Sequence, residues 1–182
     1  MIYIIFFGFV FISLIFVLGF LFVYLYHDFK GAPFVGCDPN VIREAFKLVK
    51  ANNDDVVLDL GSGDGRALRI AINDFNVKKA IGYETSPLPI FIHYLLNHNK
   101  KIKLVKKSFY EWNPKNEMPT ILYLYLLPKV LEKLTLQIKK AKKINPNLKI
   151  ISLVFQIPEM EVKQTIKTYH RGFKKEVGIW LY

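Results

Sequence analysis

The residues best suited to chemistry in this sequence lie in the stretch VVLDLGSGDGR, from Val56 to Arg66. A β-type apolar run ends there in Asp59, and glycines follow at positions 61, 63 and 65. Each glycine loses more backbone entropy on folding than any other residue type. Such density is expected where the chain turns sharply and a ligand lies against bare backbone N–H groups near the start of a helix. The stretch therefore predicts a ligand-binding turn with a carboxylate beside it.

Three classes of ligand could use such a turn. A phosphate-binding P-loop needs Lys and then Ser or Thr after its last glycine, whereas this chain has Arg66 and Ala67. A dinucleotide turn has the spacing G-x-G-x-x-G, and here Arg66 stands in place of the third glycine. Asp59 would also repel a pyrophosphate. S-adenosylmethionine (SAM) fits better, because its positive ammonium and sulfonium suit a carboxylate.

A second acid, Glu84, ends the strand-like stretch AIGYE. An acid at that place can accept hydrogen bonds from both hydroxyls of a ribose. Dinucleotide enzymes use an acid at the same place, so Glu84 predicts an adenosine-type ligand without choosing among them. The other interpretation of Asp59 and Glu84, two solvated acids at strand ends, accounts less well for their position around one glycine turn.

The elements around these residues alternate between strand and helix patterns. Asp38 and Pro39 are typical of the N-cap and first position of a helix, and Ser86 and Pro87 repeat that pattern. Five strand-like stretches follow in order: DVVLDL, AIGYE, KIKLVKKS, TILYLYLL and KIISLVFQI. EVKQTIKTY and KKEVGIWLY, around a turn at 170–172, predict a hairpin. The predicted fold class is α/β: a Rossmann-like, doubly wound, mostly parallel seven-stranded sheet with an antiparallel C-terminal hairpin.

The first 26 residues carry no charged side chain and form an apolar run. As a helix, this run is roughly 35–40 Å long and could cross a hydrocarbon core of about 30 Å. A signal peptide normally begins with basic residues and ends in small ones, and a core helix is rarely apolar on every face for this length. We therefore predict one transmembrane anchor over 1–26, a linker over 27–37 and a SAM-dependent domain over 38–182.

Basic residues follow the anchor and none precedes it: Lys30, Arg43, Lys47 and Lys50. The positive-inside tendency therefore predicts a single-pass membrane protein with its domain in the cytoplasm. Tyr24 and Tyr26 would lie in the interfacial aromatic belt. The single cysteine, Cys37, excludes an internal disulfide and fits a reducing compartment. No His/Cys cluster accompanies it, so no metal site is expected.

LDLGSGDGR followed by IGYE resembles motifs I and II of the class I, seven-stranded SAM-dependent methyltransferases. Further segments carry a narrower resemblance: APFVGCDPNVI, DFNVKKAIGYE, KKSFYEW and LYLLPKVLEKL. They are similar to the small protein-lysine methyltransferases of archaea and their membrane-anchored mitochondrial relatives. The resemblance covers nearly all of the chain after residue 30, and it implies SAM-dependent transfer of a methyl group to a lysine side chain of a protein.

The same resemblance implies which residues bind SAM. The methionine end would lie against the acid and the glycine turn: Asp59, Gly61, Ser62, Gly63 and Gly65. Glu84 would hold the ribose, and Ser108 with Phe109, just after the third strand, would border the adenine. The chain departs from the family's usual P-F-V-P-T segment, which here reads PFVGC over 33–37.

Tyr123 and Tyr125, at the end of the fourth strand, are the candidate catalytic residues on the substrate side. Alternation puts both on one face, which either meets the substrate or packs against a helix. A lysine nucleophile must lose its proton, and a dry aromatic channel helps because it disfavours the charged form. Enzymes that methylate adenine amino groups or glutamine amides usually carry an Asn/Asp-Pro-Pro-Tyr/Phe turn at this position. This chain reads YLLP over 125–128, which disfavours both of these substrate classes.

The net charge of +11 includes two lysine-rich patches, over 100–107 and 139–143. They are open to three interpretations: solvated faces, contacts with anionic lipid, or a nucleic-acid footprint. No RNA module accompanies them, which disfavours a nucleic-acid partner. The expected partners are the bilayer through 1–26 and a protein substrate, first of all an integral membrane protein, because anchoring raises its effective concentration. An RNA methyltransferase and a non-catalytic, membrane-tethered SAM-binding protein stay open as alternatives.

Overall fold

The computed structural model describes the backbone of residues 2–30 and 35–182, and the side chains of residues 3–22 and 35–182. Residues 31–34 of the predicted linker and the side chains of Tyr24, Tyr26 and Lys30 lie outside this description. Helix α1 (Ile2–Lys30) continues past residue 26, the predicted end of the anchor. Its segment Tyr3–Phe22 is long and apolar enough to cross a membrane, and none of that segment is buried against the rest of the chain.

Seven strands of the described chain form one sheet. They are β1 (Val56–Leu60), β2 (Lys79–Tyr83), β3 (Ile102–Val105), β4 (Ile121–Leu124), β5 (Lys149–Leu153), β6 (Gln164–His170) and β7 (Lys175–Leu181). Their order in the sheet is β3-β2-β1-β4-β5-β7-β6. Strands β1 to β5 are parallel, and β7 is antiparallel to both β5 and β6. The predicted fold class is therefore confirmed.

Helices connect the strands largely where the sequence predicts them. They are α2 (Pro39–Leu48), α3 (Arg66–Phe75), α4 (Pro87–Leu96), α5 (Pro114–Glu117) and α6 (Pro128–Ile144). The predicted cap of α2 is confirmed, because Oδ1 of Asp38 accepts a 2.9 Å hydrogen bond from the Asn40 N–H. Ser86 occupies the N-cap position of α4, but its side chain makes no capping hydrogen bond. A 3₁₀ helix (Phe109–Glu111) and α5 lie between β3 and β4, where the sequence analysis placed no helix.

The central strands are buried on both faces, as is usual for parallel sheets. Because side chains alternate along a strand, Val57 and Leu58 of β1 belong to two different hydrophobic clusters. The cluster around Val57 contains the buried residues of α2 and α3, and the cluster around Leu58 contains those of α6. Asp59 follows the alternation of Val57 and pairs in register with Tyr123 of β4. Both residues therefore point to the face that α2 and α3 cover.

The first and last elements of the domain are joined by hydrogen bonds around Asp38. The Asp38 N–H donates to Nε2 of His170 (3.3 Å), and the Arg171 N–H donates to Oδ2 of Asp38 (2.8 Å). The His170 ring is buried and stacks on the ring of Phe173 at 4.1 Å between centroids, and its Nδ1 lies 3.2 Å from the Phe173 backbone nitrogen. These contacts fix the start of α2 against the turn of the C-terminal hairpin.

Candidate active site

The strand order changes direction at β1, whose neighbours are β2 on one side and β4 on the other. In doubly wound sheets, ligands bind outside the carboxyl ends of the strands at this point. A cavity of about 610 Å³ lies there. Its lining brings together most of the predicted cofactor residues: Asp59, Gly61, Ser62, Gly63, Glu84, Ser108 and Phe109. Tyr123 and Tyr125 also line the cavity.

Asp59 is a buried acid without a partner. Its side chain is 3% exposed, and among the described residues it accepts no hydrogen bond and forms no ion pair. Burial, and after it the negative charges of Glu84 and Asp64, raise the pKa of this carboxyl well above its usual value. Because an unpaired buried carboxylate is costly, the site favours a ligand that carries a positive charge to Asp59.

Glu84 is held at the edge of the cavity by backbone N–H groups. Its Oε1 accepts from the Thr85 and Ser86 N–H groups, both at 2.8 Å, and its Oε2 accepts from the Gly63 N–H at 2.9 Å. A carboxylate offers about four lone-pair positions, so these bonds leave room for one ligand hydroxyl. The predicted bidentate bond to two ribose hydroxyls needs one position more. One of the lone pairs that now accept a backbone N–H would then be shared with a ribose hydroxyl.

The glycine turn differs from the sequence expectation in one respect. The N–H groups of Gly61 and Ser62 both donate to the Tyr83 carbonyl at 2.9 Å, and the Gly65 N–H donates to the Ser62 carbonyl. With the Gly63 N–H bound to Glu84, the turn has no free N–H groups at these positions for a ligand. The expectation of bare N–H groups is corrected, because the turn uses them to attach itself to the end of β2. What the turn provides is space: a Cβ on Gly61, whose φ is +86°, would lie 3.1 Å from Leu126.

Two predicted turn residues have packing roles. Gly65 does not line the cavity, and its φ is +74°. A Cβ on Gly65 would lie 2.2 Å from Nδ1 of His93, so the glycine allows α4 to pack against the turn. The Ser62 hydroxyl is buried, has no hydrogen-bond partner among the described residues, and lies 2.4 Å from where Gly82 would carry a Cβ. The Ser62 side chain therefore packs against β2.

Ser108 and Phe109 line the cavity at the end of β3. The Ser108 hydroxyl accepts the Tyr110 N–H at 3.3 Å, and the Glu111 carboxylate accepts the Ser108 N–H at 3.1 Å. These reciprocal bonds form a capping box. The serine is therefore engaged in starting the 3₁₀ helix, and the Phe109 ring is the surface available to a flat ligand ring. The Ser-x-x-Glu spacing was the signal in the sequence that could have located this helix.

Arg66 holds one wall of the cavity, a role that the sequence analysis missed. Its Nη1 donates to the Cys37 carbonyl at 2.9 Å, and its Nη2 lies 3.3 Å from Oδ2 of Asp64. Asp64 is buried and also pairs with Arg69 at 3.5 Å. A Cβ on Gly36 would lie 3.3 Å from the Arg66 guanidinium. Gly36, which replaces a proline of the P-F-V-P-T segment, therefore leaves space for the Arg66 guanidinium. No local sequence pattern predicts this contact.

Tyr123 and Tyr125 lie at different depths in the cavity. Tyr123 is 2% exposed, stacks on Phe46 with 5.6 Å between ring centroids, and its hydroxyl interacts with the Cys37 thiol. Burial raises the pKa of Tyr123 well above its usual value and raises the pKa of half-buried Tyr125 to about 12. Burial also raises the pKa of the Cys37 thiol to about 12. All three groups are therefore uncharged at neutral pH. The core position of Tyr123 agrees with the packing interpretation, while Tyr125 is the more accessible of the two.

Comparison with known proteins identifies the family. No family model matches the chain. A protein-lysine N-methyltransferase of Saccharolobus islandicus (strain REY15A) is 34% identical over 154 residues, which cover 82% of this chain and 92% of that relative. The chain belongs to the protein-lysine N-methyltransferase family. The resemblance seen in the sequence is thereby confirmed.

Solved structures share the fold of this methyltransferase. An RNA methyltransferase from Salinibacter ruber in complex with S-adenosyl-L-homocysteine has a TM-score of 0.67 at 20% identity, covering 81% of this chain and 92% of its own. A precorrin-6y C5,15-methyltransferase from Geobacter metallireducens has a TM-score of 0.59 at 14% identity, covering 78% and 86%. At these identities the likeness concerns the fold alone. The protein is a class I methyltransferase, and its cofactor is SAM.

The residues of this methyltransferase fit SAM. The unpartnered Asp59 carboxylate would pair with the ammonium, which satisfies a buried charge that is otherwise unpaired. Glu84 would accept a ribose hydroxyl, and the Phe109 ring would lie against the adenine. A pyrophosphate fits poorly, because the N–H groups of the turn already bind acceptors within the protein. Three acids also lie around the turn: Asp59, Asp64 and Glu84.

Proposed function

We propose that this methyltransferase is a membrane-anchored enzyme that transfers a methyl group from SAM to a lysine side chain of a protein. One observation carries the proposal: aromatic side chains line the cavity beyond the ends of β4 and β5. They are Tyr125, Phe155 and, from the hairpin turn, Phe173. A lysine that enters between them leaves water, which favours its neutral, nucleophilic form. The 34% identity to a protein-lysine N-methyltransferase supports the same substrate class.

The strand order divides the cavity into two halves. The ends of β2 and β3 carry Glu84, Ser108 and Phe109, which form the half proposed for the adenosine. The ends of β4 and β5 form the half proposed for the lysine. Asp59, at the end of β1, lies between them. When bound, SAM supplies an electrophilic methyl group on a sulfonium. The protein positions the two reactants, and positioning is the main source of rate acceleration in such a displacement.

The cavity side chains do not themselves remove the proton of the acceptor lysine. They lower the pKa of that lysine by keeping it away from water. Tyr125 and Cys37 each have a pKa raised to about 12, so neither is a base near neutral pH. Asp59 is assigned to the ammonium of SAM. The lysine therefore loses its proton to solvent before transfer, and desolvation lowers its pKa. Lys175 lines the rim, with Nζ 6.0 Å from the Phe173 ring centroid, and a nearby cation favours the neutral amine further.

The proposal includes the division of the chain made from the sequence: an anchor over 1–26, a linker over 27–37 and the enzyme over 38–182. The apolar segment Tyr3–Phe22 and the basic residues that follow it support a single span with a cytoplasmic domain. Protease added to sealed vesicles tests the orientation. Cleavage of the domain is expected in inverted vesicles and protection in right-side-out ones. The reverse pattern would contradict the orientation.

Tritiated SAM tests the activity. The full chain, in host membranes, is incubated with the labelled cofactor in the presence of membrane proteins and total RNA. Label in a protein band that survives nuclease and yields methyl-lysines on hydrolysis is the expected result. Label in RNA alone refutes the proposal. Bound SAM with no labelled product also refutes it and favours the non-catalytic binding protein. First candidates for the substrate are integral membrane proteins with a lysine near the cytoplasmic surface.

A pair of tyrosine variants makes the test specific to the cavity. Tyr125→Ala should lower labelling at least about tenfold, through the loss of one wall of the lysine channel, while SAM still binds. Tyr169→Ala is the matched control, because Tyr169 is 55% exposed on β6 and does not line the cavity. Equal labelling by the two variants would remove Tyr125 from the substrate half.

A further inference from the structure

Helix α4 exposes an apolar surface that the methyl-transfer site does not explain. Of its residues, only Pro89 and His93 are buried. Four large side chains on it are more than half exposed: Phe91, Tyr94, Leu95 and Leu96. A helix that is apolar all round is normally buried in a core or in contact with a membrane. A contiguous exposed apolar patch of this kind marks a contact surface.

Lysines follow this helix closely along the chain. Residues 87–107 contain no acidic residue. They contain five exposed lysines: Lys100, Lys101, Lys103, Lys106 and Lys107. Nζ of Lys106 lies 4.8 Å from the centroid of the Tyr94 ring, and Nζ of Lys101 donates to Oδ1 of Asn76 at the end of α3. Lys103 pairs in register with Ile81 and points to the face that α6 covers. We refer to the exposed apolar residues of α4 together with the other four lysines as the α4 surface.

We propose that the α4 surface binds the membrane interface, with its apolar side chains at the boundary of headgroups and acyl chains and its lysines on anionic lipid headgroups. Apolar side chains next to uninterrupted positive charge are the signature of an interfacial helix on an anionic membrane. The complementary charges favour this partner over a second copy of the chain, which would bring the same lysines together. An RNA partner would leave the four apolar side chains unexplained.

The reach of the chain supports the same partner, and this argument rests on the proposed anchor. From Phe22, where the apolar segment ends, α1 continues to Lys30. That helical part adds roughly 12 Å, and the chain from Lys30 to Val35 adds at most about 19 Å. The domain therefore starts within roughly 30 Å of the bilayer, so an apolar, basic surface on it has a lipid surface in range.

The α4 surface is connected to the cofactor site. The Thr85 and Ser86 N–H groups, just before α4, hold the Glu84 carboxylate. The His93 ring of α4 packs against Gly65. A bilayer contact through α4 therefore sets how the cavity is oriented toward the membrane.

Vesicle binding by the fragment 35–182 tests the proposal without the anchor. This fragment is expected to fold alone, because both hydrophobic clusters consist of residues after 36 and the α1 segment buries nothing. It should sediment with phosphatidylcholine vesicles that contain phosphatidylserine and far less with phosphatidylcholine alone. Removal of two lysines by Lys106→Ala and Lys107→Ala should weaken binding roughly thirtyfold. Leu95→Glu should weaken it at least about tenfold.

Leu136 provides the matched control for Leu95. Leu136 is 78% exposed on α6, the helix on the opposite face of the sheet, so Leu136→Glu should leave vesicle binding unchanged. In the full chain, an environment-sensitive fluorophore is attached to Leu95→Cys or to Leu136→Cys. The native Cys37 is buried, with a pKa raised to about 12, and stays unlabelled. A blue shift in anionic bilayers is expected at position 95 alone.

Four results would overturn the proposal. The first is a folded fragment that ignores anionic vesicles, and the second is equal loss of binding in Leu95→Glu and Leu136→Glu. The third is a lipid-free dimer that Leu95→Glu dissociates, which assigns the surface to a second copy. The fourth is RNA that displaces the fragment from vesicles. These outcomes are independent of methyl transfer, since a chain that fails to label any lysine can still bind lipid through α4.

Discussion

Asp59→Asn should make the ligand-free protein more stable and its SAM complex weaker. The wild-type carboxyl is buried and unpartnered, and its pKa is raised by burial and by neighbouring acids. A carboxyl whose pKa is higher in the folded chain than in the unfolded chain lowers stability at every pH above its unfolded pKa of about 3.9. The uncharged amide removes this cost. We expect a gain of about 1–2 kcal/mol in the free energy of unfolding at pH 7, which raises Tm by about 2–8 °C.

The effect on binding has the opposite sign. A charge-assisted hydrogen bond in a buried site contributes about 1.5–3 kcal/mol, so Kd for SAM should rise by roughly 10–150-fold. At a SAM concentration 100 times the wild-type Kd, the wild type gains about 2.7 kcal/mol. With a Kd that is about 100-fold weaker, the variant gains about 0.4 kcal/mol at the same concentration. Saturating SAM should therefore cancel or reverse the Tm difference between the two proteins.

Thermal melting with and without SAM, together with titration calorimetry, measures both effects. Asp54→Asn is the control, because Asp54 is exposed and does not line the cavity. Wild-type affinity should also rise with pH until Asp59 is ionised in the free protein, and Asp59→Asn should remove that part of the pH dependence. A variant that is less stable without ligand, or that binds SAM as the wild type does, would refute the assignment of Asp59 as an unpaired acid for the SAM ammonium.

Three further variants test other parts of the site. Arg66→Ala should weaken SAM binding about tenfold in titration calorimetry, because the cavity wall loses the hydrogen bond to the Cys37 carbonyl. Arg43, which forms an exposed ion pair, provides the control. An equal loss of affinity in Arg43→Ala would contradict this role of Arg66. Gly65→Ala combines a φ of +74° with a Cβ only 2.2 Å from Nδ1 of His93, and should lower the free energy of unfolding by about 3 kcal/mol or more in urea titration. Tyr125→Phe should keep kcat within about threefold from about pH 7 to 9, because the phenol, with a pKa of about 12, stays protonated. A kcat–pH profile that loses its shape in this variant would make Tyr125 an acid–base group.

The sequence located the acids of this site well, because their positions follow from the fold class. Asp59 and Glu84 come at the ends of neighbouring parallel strands, and such ends meet at one edge of a sheet. The two apolar strands could be recognised by composition, and the glycines between them marked the turn. The closing hairpin was also predictable, since two strand patterns follow each other with only a short turn between them.

The remaining features depend on contacts between distant parts of the chain. Arg66 was interpreted only as the absence of a third glycine, whereas its role is set by the Cys37 carbonyl, 29 residues away. The N–H groups of the turn are directed to Tyr83 and Glu84, and nothing in the local spacing fixes that direction. Gly65 is explained by the His93 ring of another helix. Tertiary packing decides such contacts, and the periodicity of the sequence does not predict them.

The hydrogen bonds of Asp38 have a consequence for the order of biosynthesis. Asp38 and the cavity wall before it are held by His170 and Arg171, which the ribosome adds 132 and 133 residues later. At usual elongation rates this delay is roughly 7–27 s. During that time Asp59, the glycine turn and Glu84 already exist, but the wall at Val35–Cys37 lacks its partner in the hairpin. The newly made chain therefore completes its cofactor site only as its last strands are synthesised, and a chain that stops short of the hairpin leaves that site open on one side.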